Sequence, residues 1–214
     1  MEDSFLHQGL RRKLVEQVRS KGIRDEAVLA ALMRVPRHLF MDSGFLKFAY
    51  ADKAFPIASG QTISQPYTVA FQTELLEVGE HHKILEVGTG SGYQAAVLAE
   101  LGARVYTVER IRGLSQSAQV LLNGMGYTVK FFVADGNQGL PAFAPYDRIL
   151  VTAGAREFPD RLKYQLSAGG ILVTPVGPPD CQTMMRCIRT GEDTFEMTTH
   201  GSFVFVPLRD GVKG

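Results

Sequence analysis

The 214-residue chain predicts an α/β fold: a mainly parallel, doubly wound sheet with an antiparallel C-terminal hairpin and an N-terminal helical cap. Three observations carry that expectation. Strand-length apolar runs alternate with helix-length runs from residue 66 to 175. The first of these strands, Lys83–Val87, feeds straight into a glycine-rich turn and a helix-like segment. Beyond residue 180, two strand-like runs follow each other with no helix between them.

The first third reads as helical. Leu10, Leu14 and Val18 recur at i, i+4 and i+8, with Arg11, Arg12, Lys13, Arg19 and Lys21 between them on a face read as solvated. Gly22 closes that helix; Asp25 caps a second one bearing Val28, Leu29, Leu32 and Met33, which Pro36 ends. Residues 49–65 read as irregular, punctuated by Pro56, Gly60 and Pro66, and a segment of that length inside a compact chain is often functional. A helix is expected over Val69–Val78. The strand-like runs are Lys83–Val87, Arg104–Val108, Thr128–Val133, Arg148–Thr152 and Ile171–Pro175, with helices over Tyr93–Leu101, Ile111–Leu122 and Pro159–Leu166 between them. Thr183–Thr190 and Thr194–Val206, joined at Gly191-Glu192-Asp193, read as the hairpin. The expectation is one domain over 1–214: cap and acceptor loop in 1–65, ligand-binding core in 66–214.

Composition sets bounds on function. A formal net charge of +1 gives no overall pull toward nucleic acid or membrane, and no apolar run reaches the ~20 residues needed to cross a bilayer. No secretory signal pattern opens the chain, and the two cysteines, Cys181 and Cys187, make no disulfide scaffold, so a reduced, cytoplasmic setting is expected, with both thiols read as small buried apolar groups. His81 and His82 are sequence neighbours and point apart, and no His/Cys spacing suggests a metal site.

The chemistry concentrates at strand ends, where open parallel sheets bind ligands. Glu86 precedes Gly88-Thr89-Gly90-Ser91-Gly92, a G-x-G-x-G turn; the dinucleotide fingerprint needs a glycine at 93, where this chain has Tyr93. A pyrophosphate avoids a neighbouring acid, whereas a ligand bearing sulfonium and ammonium groups welcomes one. S-adenosylmethionine is such a ligand. Glu109, about 20 residues past the first glycine, is placed to take ribose hydroxyls, and Asp135-Gly136 to meet an adenine amine. Thr152-Ala153-Gly154-Ala155 leaves room for a bulky group. That run holds no His or Lys to act as base, and the chain lacks the Asn/Asp-Pro-Pro-aromatic motif that grips an amine. A carboxylate acceptor needs neither, being ionised at neutral pH with an unperturbed pKa of ~4.

Ser59-Gly60-Gln61-Thr62-Ile63-Ser64-Gln65-Pro66-Tyr67 and Leu85-Glu86-Val87-Gly88-Thr89-Gly90-Ser91-Gly92-Tyr93 resemble protein-L-isoaspartate O-methyltransferases. So do Val35-Pro36-Arg37, Val108-Glu109-Arg110, Ala144-Pro145-Tyr146-Asp147, Gly169-Gly170, Pro175-Val176-Gly177 and Val206-Pro207-Leu208, in order across nearly the whole chain. The resemblance implies an enzyme that uses S-adenosylmethionine, and no metal, to methylate the free carboxylate of L-isoaspartyl residues, with D-aspartyl residues secondary. The ester then collapses to a succinimide, which begins repair. It implies Ser64 as the active-site serine, and Gln61, Thr62 and Ile63 closing over the cofactor. Glu86, Gly88, Thr89, Gly90, Ser91, Gly92, Glu109, Arg110, Asp135 and Gly136 are then cofactor-binding. Ser64, Thr152, Ala153, Gly154, Val206, Pro207 and Leu208 face the substrate. It also implies a monomer whose partners are isoaspartyl peptides and proteins, and C-terminal strands rearranged from the usual methyltransferase sheet. Arg156-Glu157 depart from the family's apolar rim, and Arg209 stands where some relatives carry threonine.

Three rival readings stay open on the residues alone. One is a methyltransferase for a small-molecule carboxylate or RNA, the latter opposed by the absence of a coherent basic surface. A second is a nicotinamide dehydrogenase, opposed by the glycine spacing. The third is a non-catalytic binding module.

Overall fold

A computed structural model describes residues 3–213. Helix α1 (Phe5–Ser20) and helix α2 (Glu26–Arg34) form the cap. Gly22, at φ +111°, ends the first, and the Asp25 carboxylate accepts from the amides of Ala27 (2.8 Å) and Val28 (3.2 Å) to start the second. The face α1 buries is the expected one turned slightly: Leu14 and Val18 are inside, joined by Val15 and Arg11, while Leu10 is exposed. Arg11 tolerates burial because its guanidinium donates to Asp3, to the Tyr50 hydroxyl and to the Met33 carbonyl.

The segment expected to be irregular is organised. Short 3-10 turns cover Arg37–Phe40 and Ser43–Phe48, and two-residue strands β1 (Phe55–Pro56) and β2 (Thr62–Ile63) pair antiparallel around a tip at Ser59-Gly60. Both tip residues have positive φ, 61° and 68°. Gln61 to Ser64 thus lie on one arm of a small hairpin. Helix α3 (Pro66–Leu76) starts at Pro66, whose missing N–H costs nothing at a first helical position.

The main sheet holds β3 (Lys83–Val87), β4 (Arg104–Glu109), β5 (Val129–Val133), β6 (Tyr146–Val151), β7 (Leu166–Val176), β8 (Gln182–Arg189) and β9 (Phe195–Phe203). Their spatial order is β5-β4-β3-β6-β7-β8-β9, parallel from β5 to β7 and antiparallel thereafter. Helices α4 (Tyr93–Glu100) and α5 (Arg112–Gly124) carry the first two crossovers. Strand order reverses between β3 and β6, which opens a crevice beyond their carboxyl ends.

The two faces are covered unequally. One core cluster joins Leu14, Val18, Leu29 and Leu32 of the cap to Val69, Ile84, Leu98 and Leu122, so cap and sheet share apolar packing. On the other face Leu85, Val87, Ile149 and Leu172 pack under the four-residue helix α6 (Asp160–Lys163) and aromatic rings of Phe132 and Phe143. The expected helix over Pro159–Leu166 is shorter because Leu166 pairs with Tyr146 and starts β7 early. Of the two thiols, Cys187 is buried, but Cys181 lies exposed ahead of β8 rather than in the core.

Candidate active site

The glycine turn fits a ligand because its backbone cannot be anything else. Gly88, Gly90 and Gly92 all have positive φ, at 99°, 52° and 86°. A Cβ on Gly88 would sit 2.5 Å from the Thr152 hydroxyl oxygen, and one on Gly92 would sit 2.6 Å from Leu122. Thr152, just past β6, donates toward the carbonyls of Val87 (3.0 Å) and Gly88 (2.7 Å), which ties the two strand ends at the switch point together.

Two acids lie beneath this turn in different settings. Glu109, at the end of β4, accepts from the Gly90 amide at 3.0 Å with one oxygen and from the Ile111 amide at 2.9 Å with the other. Each oxygen keeps a second lone pair, and the side chain lines the crevice. Glu86 is fully buried and lines no cavity. Thr107 donates to its Oε2 at 2.5 Å, Thr107 and Thr89 share a hydrogen bond at 2.6 Å, and its Oε1 has no partner among the described residues. Burial pushes its carboxyl up to about 8, and the charge of Glu109 adds to that rise. Direct contact of Glu86 with a cationic ligand is therefore corrected: the strand end carries it under the turn, not into the crevice.

Asp135 is also placed differently from expectation. One of its oxygens caps the turn at Asn137 (2.9 Å) and the other accepts from the Gly211 amide (3.0 Å), so it anchors the C-terminal tail and lines neither crevice cavity. Arg110 donates to the carbonyls of Asp210 and Gly211 in the same tail. Gly136 does approach closely: a Cβ there would meet Val87 at 2.4 Å.

The crevice holds two small cavities. One, of about 60 Å³, is lined by Gln61 to Ser64, the turn from Gly88 to Ser91, Glu109, Thr152, Ala153 and Val206. The other, of about 50 Å³, lies between Gly88, Glu109, Arg110, Gly136, Pro207 and Leu208. Gln61, Gly88, Glu109 and Ala153 line both, so Gln61 on its hairpin stands between them. The C-terminal segment is strapped on by the Gly154 amide to the Val206 carbonyl and the Leu208 amide to the Gly154 carbonyl, each 2.8 Å. Ser64 and Thr62 line the first cavity and also an open groove of about 670 Å³ walled by Tyr67, Phe203 and Phe205. Gly154, Pro207 and Leu208 border a different groove, of about 890 Å³, near Arg156 and Glu157.

Sequence reasoning missed Val69, Tyr93 and Gln94, which also line the first cavity. A glutamine in an otherwise apolar helix was the available signal. Gln94 is buried and donates to Thr73 at 3.0 Å, and its Oε1 lacks a partner among the described residues. Behind Tyr93 lies the fully buried Arg37, its guanidinium 4.9 Å from the ring centre and lowered to about 10 by burial. Burial also pushes the Tyr93 phenol up to about 12.

The comparisons with known proteins meet this geometry. The chain matches protein-L-isoaspartate(D-aspartate) O-methyltransferase (PCMT) over residues 9–213. It belongs to that family. A protein-L-isoaspartate O-methyltransferase of Cytophaga hutchinsonii is 54% identical over 213 residues, covering 99% of this chain and 96% of that one. Among solved structures, a protein-L-isoaspartate O-methyltransferase superposes with TM-score 0.84 at 27% identity, covering 94% of this chain and 67% of that one. A Plasmodium falciparum β-aspartate methyltransferase crystallised with S-adenosyl-L-homocysteine superposes with TM-score 0.82 at 22% identity over 93% and 98% of the two chains, a likeness of fold. In this member the main sheet carries the glycine turn and Glu109 at the ends of β3 and β4, and the separate β1–β2 hairpin brings Ser64, just past β2, to the same crevice.

Proposed function

We propose that this member of the family methylates the free carboxylate of L-isoaspartyl residues, and secondarily of D-aspartyl residues, in damaged peptides and proteins, which starts their return to aspartate through a succinimide. The observation that carries the reading is the position of Ser64. It lines the cofactor crevice on one side and an open groove large enough for a peptide segment on the other.

The residues suit S-adenosylmethionine. Gly88 and Gly136 leave bare backbone along the crevice, where a Cβ would meet Thr152 and Val87, and each oxygen of Glu109 keeps a lone pair free for a hydroxyl donor. When bound, this cofactor supplies an electrophilic methyl group on a sulfonium. The chain supplies position. Glu109 would take the ribose hydroxyls, the glycine turn with Thr89, Ser91 and Thr152 would hold the amino-acid end, and Gly136 with Pro207 and Leu208 would wall the base. Gln61, Thr62 and Ile63 close over it; the two cavities are each far below the ~300 Å³ of an ordinary ligand pocket, so the hairpin must swing out to admit the cofactor. Ser64 donates to the acceptor carboxylate, and Ala153, Gly154 and Val206 shape its approach. Asp135 acts one step back, by fixing the tail that bears this wall, and Arg110, which itself borders the second cavity, holds the same tail.

The acceptor class follows from what lines the crevice. Among the described residues no histidine or lysine borders the first cavity, and its one phenol, Tyr93, titrates far too high to act as base. An acceptor that arrives already ionised needs no base and suits this lining. Charge cancels as a carboxylate meets a sulfonium, so a cleft that excludes water favours the step, and alignment alone can contribute ~7–11 kcal/mol. The reading includes no metal and no nucleic-acid partner, a single chain as the working unit, and a reduced, cytoplasmic setting in keeping with two unpaired thiols. No helix among the described residues is long and apolar enough to cross a membrane.

The test is transfer of label from methyl-labelled S-adenosylmethionine to matched peptides that differ only in isoaspartate against aspartate. Base-labile label in the isoaspartyl peptide alone is expected. Equal labelling of both, or none, rejects the reading.

A further inference from the structure

We propose that the two acids beneath the glycine turn work in opposite protonation states: Glu109 meets the cofactor as a carboxylate, while Glu86 stays protonated and passes a hydrogen bond through Thr107 to Thr89, which turns its own hydroxyl hydrogen toward the crevice. The inference rests on the cofactor reading above and adds a positioning residue that touches no cofactor.

The geometry carries it. Glu109 can only accept, since backbone amides approach both of its oxygens. Among the described residues the Glu86 carboxyl bonds to Thr107 alone, and Thr107 bonds to Thr89, a residue that lines the first cavity. All three are buried, Glu86 and Thr107 completely. A carboxylate in that position leaves one charged oxygen buried with no donor, which costs several kcal/mol. Placing the proton on Oε2 removes the charge. It makes Glu86 the donor to Thr107, frees the Thr107 hydrogen for Thr89, and leaves only a neutral carbonyl oxygen bare.

The charges around Glu86 permit this state. Alternation along β3 puts Glu86 on the same face as Ile84, under helices α3 and α4. From α3 come the neutral Gln72 and Thr73, from α4 the neutral Gln94 and Tyr93, with the Arg37 cation behind Tyr93. From β6 Leu150 stands beside it in register, and from β4 the charge of Glu109 disfavours a second negative charge. Two carboxyl groups whose settings push them apart in this way take separate tasks.

The consequence is a cofactor affinity that falls as pH rises through Glu86's own range. Isothermal titration of S-adenosylhomocysteine at pH 7 and pH 9 is the test, on wild type, Glu86→Gln and Thr107→Val. With the Glu86 carboxyl pushed up to about 8, wild-type Kd should rise about tenfold between these pH values relative to Glu86→Gln, which cannot ionise. Thr107→Val should lose the same pH dependence by cutting the chain. Infrared difference spectra of wild type against Glu86→Gln should show a protonated-carboxyl stretch at pH 7 that fades by pH 9, whether or not the threonine variant folds. Parallel pH profiles for wild type and Glu86→Gln, or no such stretch, overturn the proposal while leaving the cofactor reading intact. No binding of S-adenosylhomocysteine by wild type at pH 7 overturns both.

Discussion

Glu86 makes a measurable demand on stability. Its carboxyl has an ordinary value of 4.5 and is pushed up to about 8 in the fold, chiefly by burial. Between those limits the folded chain holds a proton that the unfolded chain has released. Stability is thus fullest below about 4.5, declines by about 1.4 kcal/mol per pH unit as pH rises, and levels off above about 8, where the fold releases the proton as well. From pH 5 to pH 7 the decline is on the order of 3 kcal/mol, a large share of the 5–15 kcal/mol that holds a typical domain together. Glu86→Gln abolishes it. The glutamine leaves one buried N–H without an acceptor, an offset of about 1–3 kcal/mol that does not vary with pH. The informative quantity is therefore the change in the difference between the two proteins. Urea unfolding of ligand-free protein at pH 5, 6, 7 and 8, followed by far-ultraviolet circular dichroism because the chain contains no tryptophan, measures it directly. The stability of Glu86→Gln minus that of wild type should climb by about 3 kcal/mol from pH 5 to 7. A constant difference across the series would refute a carboxyl that is neutral in the fold.

Further expectations concern the site itself. Ser64→Ala should lower kcat roughly 10–100-fold, the worth of a hydrogen bond to a charged acceptor, while the Kd for S-adenosylmethionine changes little; a variant that loses cofactor affinity instead moves Ser64 out of the acceptor role. Glu109→Gln puts an N–H against the Gly90 or Ile111 amide, so S-adenosylhomocysteine should bind on the order of 10–100-fold more weakly by calorimetry, and an unaffected Kd removes this acid from the ribose site. Gly88→Ala forces a Cβ to within 2.5 Å of the Thr152 oxygen at a φ of +99°, and should cost about 1–3 kcal/mol in urea unfolding as well as weakening cofactor binding.

What was legible in the sequence was whatever depends on local period and punctuation. The β3–β6 strand runs, the glycine turn at 88–92, the Asp25 cap and the terminal hairpin follow from side-chain alternation and backbone freedom. Burial of Arg11 was illegible because its three partners, Asp3, Met33 and Tyr50, arrive from other segments. The 55–63 hairpin was illegible because strands of two residues have no period to read. Asp135 looked like Glu109, a lone acid after a strand, until the tail at Gly211 claimed one of its oxygens.

Glu86 and Glu109 press the same point further. Both are glutamates at the carboxyl end of adjacent parallel strands; their spacing from the glycines sets Glu109 apart as a ribose candidate but does not show that Glu86 turns away from the crevice. Glu86 sits in register opposite Thr107, so its side chain turns under the helices with that residue. Glu109 lies two residues beyond Thr107 on the same face, but past the end of β3, where the Gly90 and Ile111 amides meet it at the crevice. Two residues of strand length thus decide which acid borders the crevice and which lies beneath it. A shift of the β3–β4 register by two residues would set the two acids directly opposite each other. Which of the two acids reaches the crevice is consequently a property of strand pairing, which the G-x-G-x-G motif alone does not carry.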